Sequence, residues 1–153
     1  MDVGTTIKLA QAVEDMAGDL YRLLAQRSAG DPPQAAVFRR LEQEEREHAK
    51  RLQMLASMYL KDPRSFRGTT LEIPNLEAIV AETKAFLEQV EKGAVDVPAA
   101  AAHLVELEER FAVTHAEVVA RNADPGVKTL FQMLAAQDRE HAKLLRREGG
   151  KTG

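Results

Sequence analysis

Read at intervals of three and four, the chain resolves into apolar stripes. Phe38, Leu41, Glu45, His48, Leu52, Leu55 and Tyr59 form one; Val127, Phe131, Leu134, Asp138, His141 and Leu145 form a second. A third runs through Ile7, Ala10, Glu14, Ala17, Tyr21 and Leu24, and a fourth through Ala101, Leu104, Glu108, Phe111, His115 and Val118. A period near 3.6 places each set on one face of a helix, and no segment alternates with the period of two that a half-buried strand requires. Breaks fall at Gly30-Asp31-Pro32-Pro33, at Lys61-Asp62-Pro63, at Gly93 and at Asp124-Pro125-Gly126, while Pro98 opens a segment and a loop runs through Gly68 and Pro74. Between the breaks, helix-forming Ala, Leu, Glu, Gln, Lys and Arg dominate. The pattern predicts an all-α protein, with long helices at about residues 5–28, 34–60, 98–122 and 126–147 and a shorter one at 75–91.

The connections predict a topology. Short turns join the first two long helices and the last two, giving antiparallel hairpins at about 5–60 and 98–147. The crossover at 61–97 is long enough to run back along a bundle. Two short connections and one long one describe a ferritin-like four-helix bundle, expected as a single domain over residues 1–153. The crossover helix has its own apolar face, Leu76, Ile79, Val80, Thr83, Leu87 and Val90, which must cover either the flank of the bundle or a second subunit.

Candidate chemistry lies inside the stripes. The pentapeptide REHAK occurs at Arg46–Lys50 and again at Arg139–Lys143, with its histidines 93 residues apart and a carboxylate three residues before each, Glu45 and Asp138. Glu14 and Glu108 stand at mid-height in the other two stripes. Four carboxylates on faces that should be buried would cost several kcal/mol each and repel one another. The stripes hold no Lys or Arg to neutralise them. Two metal ions would, because a carboxylate and a histidine at i and i+3 share a helix face and both reach inward. With no cysteine in the chain, disulfides, zinc ribbons and iron–sulfur ligation are excluded, and His and carboxylates remain as the strong ligands.

The residues that carry this pattern resemble a known family. QEEREHAKRL is similar to the second bundle helix of rubrerythrins, EDMAGDLYRLLA to their first and LEERFAVTHAEVVA to their third. The resemblance implies that Glu45 and Asp138 bridge two metals, that Glu14 and Glu108 are terminal ligands, and that His48 and His141 bind one ion each. It implies two iron ions, with manganese or zinc as substitutes, and reaction of the reduced iron with peroxide or dioxygen. The chain departs from the family pattern in three ways. Asp138 replaces the usual glutamate and reaches about one bond less far, which puts its bridging in question. Phe111 stands where rubrerythrins carry an extra glutamate ligand. Finally, there is no cysteine-ligated rubredoxin domain, so electrons are expected from an external donor. Ferrous iron oxidation with storage or transfer is the rival within the superfamily, and a metal-free helical interaction module is the rival from another class. The resemblance also implies a homodimer.

The remaining polar and aromatic residues change the picture little. Glu42, Glu44, Glu47, Glu106, Glu109 and Glu140 are expected to be solvated, and His103 exposed. His115 lies two turns, about 10 Å, from Glu108 along the helix, whereas paired metals sit about 3.5–4 Å apart. A core or supporting role is therefore expected for it, and Tyr21 and Tyr59 are expected to pack in the core or at the bundle ends, with a redox-active or hydrogen-bonding neighbour of the centre as the alternative for Tyr21. A net charge of −3 leaves no basic face for nucleic acid. The first residues lack a basic, then apolar, signal-peptide pattern, and no apolar run approaches the about 20 residues of a membrane helix. A cytoplasmic location fits the lack of cysteine.

Overall fold

A computed structural model describes residues 2–66, 71–122 and 124–149; Gly68 of the crossover loop lies outside them. The helices are α1 (Val3–Arg27), α2 (Pro32–Lys61), α3 (Leu76–Glu91), α4 (Val97–Arg121) and α5 (Pro125–Leu144), with a 3-10 turn at Pro63–Phe66. The chain after α5 widens into one π-type turn, Leu145–Gly149, where the sequence pattern predicts plain α-helix to residue 147. The Gln34 side chain donates to the Gly149 carbonyl at 2.9 Å, tying that turn to the start of α2. Among the described residues there is no strand, and no helix is long and apolar enough to cross a membrane.

The four long helices begin by one device. Asp2, Asp31, Asp96 and Asp124 each accept the backbone N–H three residues on, from Thr5, Gln34, Ala99 and Val127 at 2.8, 3.2, 2.9 and 2.9 Å. Each aspartate thus satisfies a donor that the first turn of a helix leaves without a partner. Prolines follow three of these caps. Proline's missing N–H costs nothing in a first turn, so the helices start slightly earlier than the apolar stripes do. Helix α3 starts differently, on Asn75 in the left-handed region at φ 59° with no side-chain cap.

Helix α1 packs along α2 and α4 along α5, and the two hairpins close on each other through the striped faces. The registry of the first pair is set at a close approach. The Arg46 guanidinium lies over Gly18, where a Cβ would come within 2.8 Å of it. From there Arg46 donates to the Asp15 carbonyl at 2.9 Å and to the Asp19 carboxylate at 2.6 Å. Helix α3 packs on α1 of its own chain, burying Leu76, Ile79, Thr83, Phe86, Leu87 and Val90. The buried set includes Phe86, which the sequence pattern omits, and leaves Val80 only partly covered. The crossover thus covers the bundle's flank. The Thr83 hydroxyl is satisfied by the Ile79 carbonyl at 2.7 Å, so its burial leaves no donor unpaired.

The caps can be tested one at a time. Asp96→Ala should lower unfolding stability by about 1 kcal/mol in denaturant titrations. Asn75→Gly should cost nothing, because glycine takes the left-handed conformation without a steric penalty. Parental stability in Asp96→Ala would mean that water satisfies the first turn as well as the carboxylate does.

Candidate metal centre

The polar residues of the stripes meet at the middle of the bundle. Glu14 is 1% exposed, and Glu45, Glu108 and Asp138 are 0%, each from a different helix. His48, one turn after Glu45 on α2, and His141, one turn after Asp138 on α5, are buried beside them. Their rings lie nearly parallel, with centroids 5.5 Å apart and planes at 15°. The side chains form two overlapping groups, Glu14, Glu45, His48 and Asp138 in one and Glu45, Glu108, Asp138 and His141 in the other. Within each group the candidate ligand atoms all lie within 4.8 Å of one another. All six sequence-predicted residues come together, and Glu45 and Asp138 are the two that belong to both groups.

The Nδ1 atoms of both histidines face inward. His48 Nδ1 lies 3.5 Å from Glu14 and 3.3 Å from Glu45. His141 Nδ1 lies 2.9 Å from Glu45 and 3.4 Å from Glu108. The outer nitrogens are held by the opposite hairpin. His141 Nε2 donates to Glu44 on α2 at 2.9 Å, and His48 Nε2 donates to the Gln137 side-chain oxygen on α5. Glu44 and Gln137 each stand one residue before a shared carboxylate, so the two helices exchange supports reciprocally. A donor bond at the outer nitrogen fixes ring orientation and leaves the inner nitrogen to act as ligand.

Two further side chains reach the centre. Tyr21 on α1 donates to Glu108 on α4 at 2.6 Å. His115 on α4 places Nδ1 2.6 Å from Asp138 Oδ2 and Nε2 3.8 Å from Glu14. These supports were only partly legible. Glu44, expected in water, is half-buried against His141, and the Glu44 carboxyl is held below its usual range by that hydrogen bond. His103, expected exposed, rests its ring against Phe86 with centroids 4.2 Å apart. Glu42 pairs with Arg46 and Glu109 with Arg146, while Glu47, Glu106 and Glu140 are exposed as expected.

The electrostatics follow from burial. Desolvation, and then the neighbouring Glu45, raise Glu14 to about 7. Asp138 is raised well above its usual range by desolvation and by Glu14 and Glu45. Glu108 is raised by desolvation, against the opposing pull of His141. Burial opposes protonation of His48, but Glu14 and Glu45 outweigh it and push the imidazolium up to about 11. His141 is raised in the same way by Glu108, Glu44 and Glu45. Burial and the neighbouring charges thus favour the protonated form at each of these five groups.

Protons do not satisfy the site fully. Among the described residues eight buried side-chain polar atoms lack a hydrogen-bond partner, and six are here: both Glu14 oxygens, Glu45 Oε2, His48 Nδ1, Glu108 Oε2 and Asp138 Oδ1. Buried polar atoms are normally paired, so six orphans converging on one point mark a missing partner. All are oxygen or imidazole nitrogen, the donor set that suits first-row divalent metals. The residues fit a pair of metal ions.

These shifts set a pH dependence for the metal-free protein. Each favours the protonated form in the folded state, so its stabilisation is complete below the unfolded pKa and is lost as pH rises through the folded one. The window for Glu14 runs from 4.5 to about 7, and for His48 from 6.5 to about 11. Chelated protein should therefore melt at progressively lower temperature between about pH 5 and about pH 8. Metal should hold the carboxylates ionised and flatten that slope. Calorimetry with and without chelator checks both, and a chelated protein that gains stability across this range would contradict the assignment of buried carboxyls.

Comparison with known proteins agrees with this geometry. No curated protein and no solved structure matches the chain. The Rubrerythrin family profile matches residues 6–148, which takes in α2, α4 and α5, all of α1 but its first turn, and every residue of the centre. The chain belongs to the rubrerythrin family, within the ferritin-like di-iron carboxylate proteins.

Proposed function

We propose that this chain is a non-haem di-iron oxidoreductase that reduces peroxide with electrons from an external donor. Glu14, Glu45, His48, Glu108, Asp138 and His141 serve as its metal ligands. The observation that carries the reading is the pair of overlapping ligand groups that share Glu45 and Asp138. Glu14 and His48 complete one group, and Glu108 and His141 complete the other.

Held by these six residues, two ferrous ions would supply one electron each for the reduction of hydrogen peroxide, which takes up two protons to give two waters, and the external donor would return the two electrons. Zinc has no accessible redox change and would occupy the site without supporting turnover. The protein's own part is positioning and exclusion of water. Glu44 and Gln137 hold the imidazoles from outside, and Tyr21 holds Glu108. Phe38, Leu41, Leu104, Phe131 and Leu134, all fully buried, pack the bundle around the site and keep the local dielectric low.

Protein expressed with iron should carry about two ions per chain by elemental analysis. Glu45→Gln removes a carboxylate common to both groups and should bring the content below one, whereas Glu14→Gln should leave about one, because Glu14 belongs to a single group. Ferrous protein mixed with peroxide should oxidise in a single turnover faster than with dioxygen. The reverse order would assign ferrous iron oxidation instead, and an iron-replete preparation without iron would sink the di-iron reading.

A further inference from the structure

The two halves of the centre are related by the REHAK repeat, and the places where they differ are informative. Seven residues after the seam glutamate of α1 stands Tyr21, and seven after that of α4 stands His115. Tyr21 crosses to the other hairpin and holds Glu108 at 2.6 Å. The equivalent bond would join residue 115 to Glu14, but His115 Nε2 stops 3.8 Å from it and its Nδ1 engages Asp138 Oδ2 at 2.6 Å. Asp138 is itself the departure from the repeat, since its counterpart is Glu45. Two of the substitutions that break the symmetry are thus in contact with each other.

We propose that His115 is a positioning residue for Asp138, compensating for its short side chain. It captures one carboxylate oxygen and presents the other to the metal ions. This rests on the two-ion reading above. With metal bound Asp138 is ionised, so its carboxylate accepts the bond and His115 donates from Nδ1. Asp138 Oδ1 is then the free atom, and it is one of the six orphans at the centre. Glu45 likewise has one oxygen held, Oε1 by His141 Nδ1 at 2.9 Å, and one unpartnered, Oε2. The two bonds differ in who makes them: His141 is itself one of the six candidate ligands and gives up its bond to Glu45 when it binds an ion, whereas His115 lies outside both groups and can keep holding Asp138.

The surroundings allow a clean test. Apart from Asp138 and the 3.8 Å approach of Nε2 to Glu14, His115 is among apolar groups, with its ring edge-on to Phe131 at 5.5 Å and a small pocket beside it lined by Ala10, Val13, Ile79 and Phe111. Leucine fits such a site and deletes the hydrogen bond to Asp138 together with the longer approach to Glu14, which asparagine, with no atom at the Nε2 position, also lacks. Asparagine places an amide N–H close to where Nδ1 stood. Metal-free protein is titrated with cobalt(II), following stoichiometry and the visible ligand-field bands. The parent should take up two ions. His115→Leu should bind about 10–100-fold more weakly, the usual cost of losing a partner that orients a ligand, with altered bands. His115→Asn should recover affinity and spectrum to within a few-fold. A leucine variant with the parental isotherm and spectrum overturns the proposal while leaving the two-ion reading intact. So does an asparagine variant as defective as leucine, which would make the ring a packing group or a ligand. A parent that takes up no cobalt overturns the two-ion reading and this proposal with it.

Discussion

Four carboxylates share one dry seam, and most of the structure is a response to that. Placed singly in an apolar interior, each would give up its charge at a cost of several kcal/mol. Together they raise one another, as the displacement of Glu14 by Glu45 and of Asp138 by Glu14 makes plain. Without metal, burial and the neighbouring charges favour the protonated forms of Glu14, Glu108 and Asp138, and the surrounding carboxylates favour the imidazoliums of His48 and His141. That arrangement leaves six ligand atoms without partners. Unpaired oxygen and imidazole nitrogen atoms gathered at one point are the groups that a bound cation would satisfy.

Holding such a site demands stiffness, and the supports are placed accordingly. Every long helix starts on an aspartate cap, which fixes where its stripe begins. Arg46 over Gly18 sets the slide of α2 on α1, and so the height of Glu45 against Glu14. The outer supports are unequal, however. His141 is backed by the carboxylate of Glu44, whereas His48 is backed by the neutral amide of Gln137. A carboxylate partner makes an imidazole the stronger donor. The half nearest His141 thus has the richer imidazole, while Asp138 in the same hairpin is shortened and clamped.

How much of this was legible depended on whether one helix sufficed to reveal it. The fold was, because a 3.6-residue period sustained over helices of 25, 30, 25 and 20 residues cannot be mistaken for a strand. The six seam residues were, because an acid or histidine inside an apolar stripe is anomalous on its own helix. Glu44 was not. It sits one position off the stripe, about 100° around the helix, and only the approach of α5 turns it from a solvated side chain into a support for His141. Gln137 escaped for the same reason, and the bond from His115 to Asp138 could not be read because it joins α4 to α5. The π-type turn at Leu145–Gly149 escaped because it follows from contacts with α2 and α4 rather than from its own residues.

The crossed supports have a consequence for the bundle as a whole. Glu44 of the first hairpin orients His141 of the second, and Gln137 of the second orients His48 of the first. Tyr21 reaches from α1 to α4 in the same way. Each of the two ligand groups also takes residues from both hairpins. Neither hairpin alone can therefore form half of the centre. An ion that enters must hold the hairpins together, because its ligands and their orienting partners come from both sides of the interface. Its binding energy becomes cohesion between the two halves of the fold. The buried charge that threatens the empty bundle is, by the same geometry, what lets bound metal lock it.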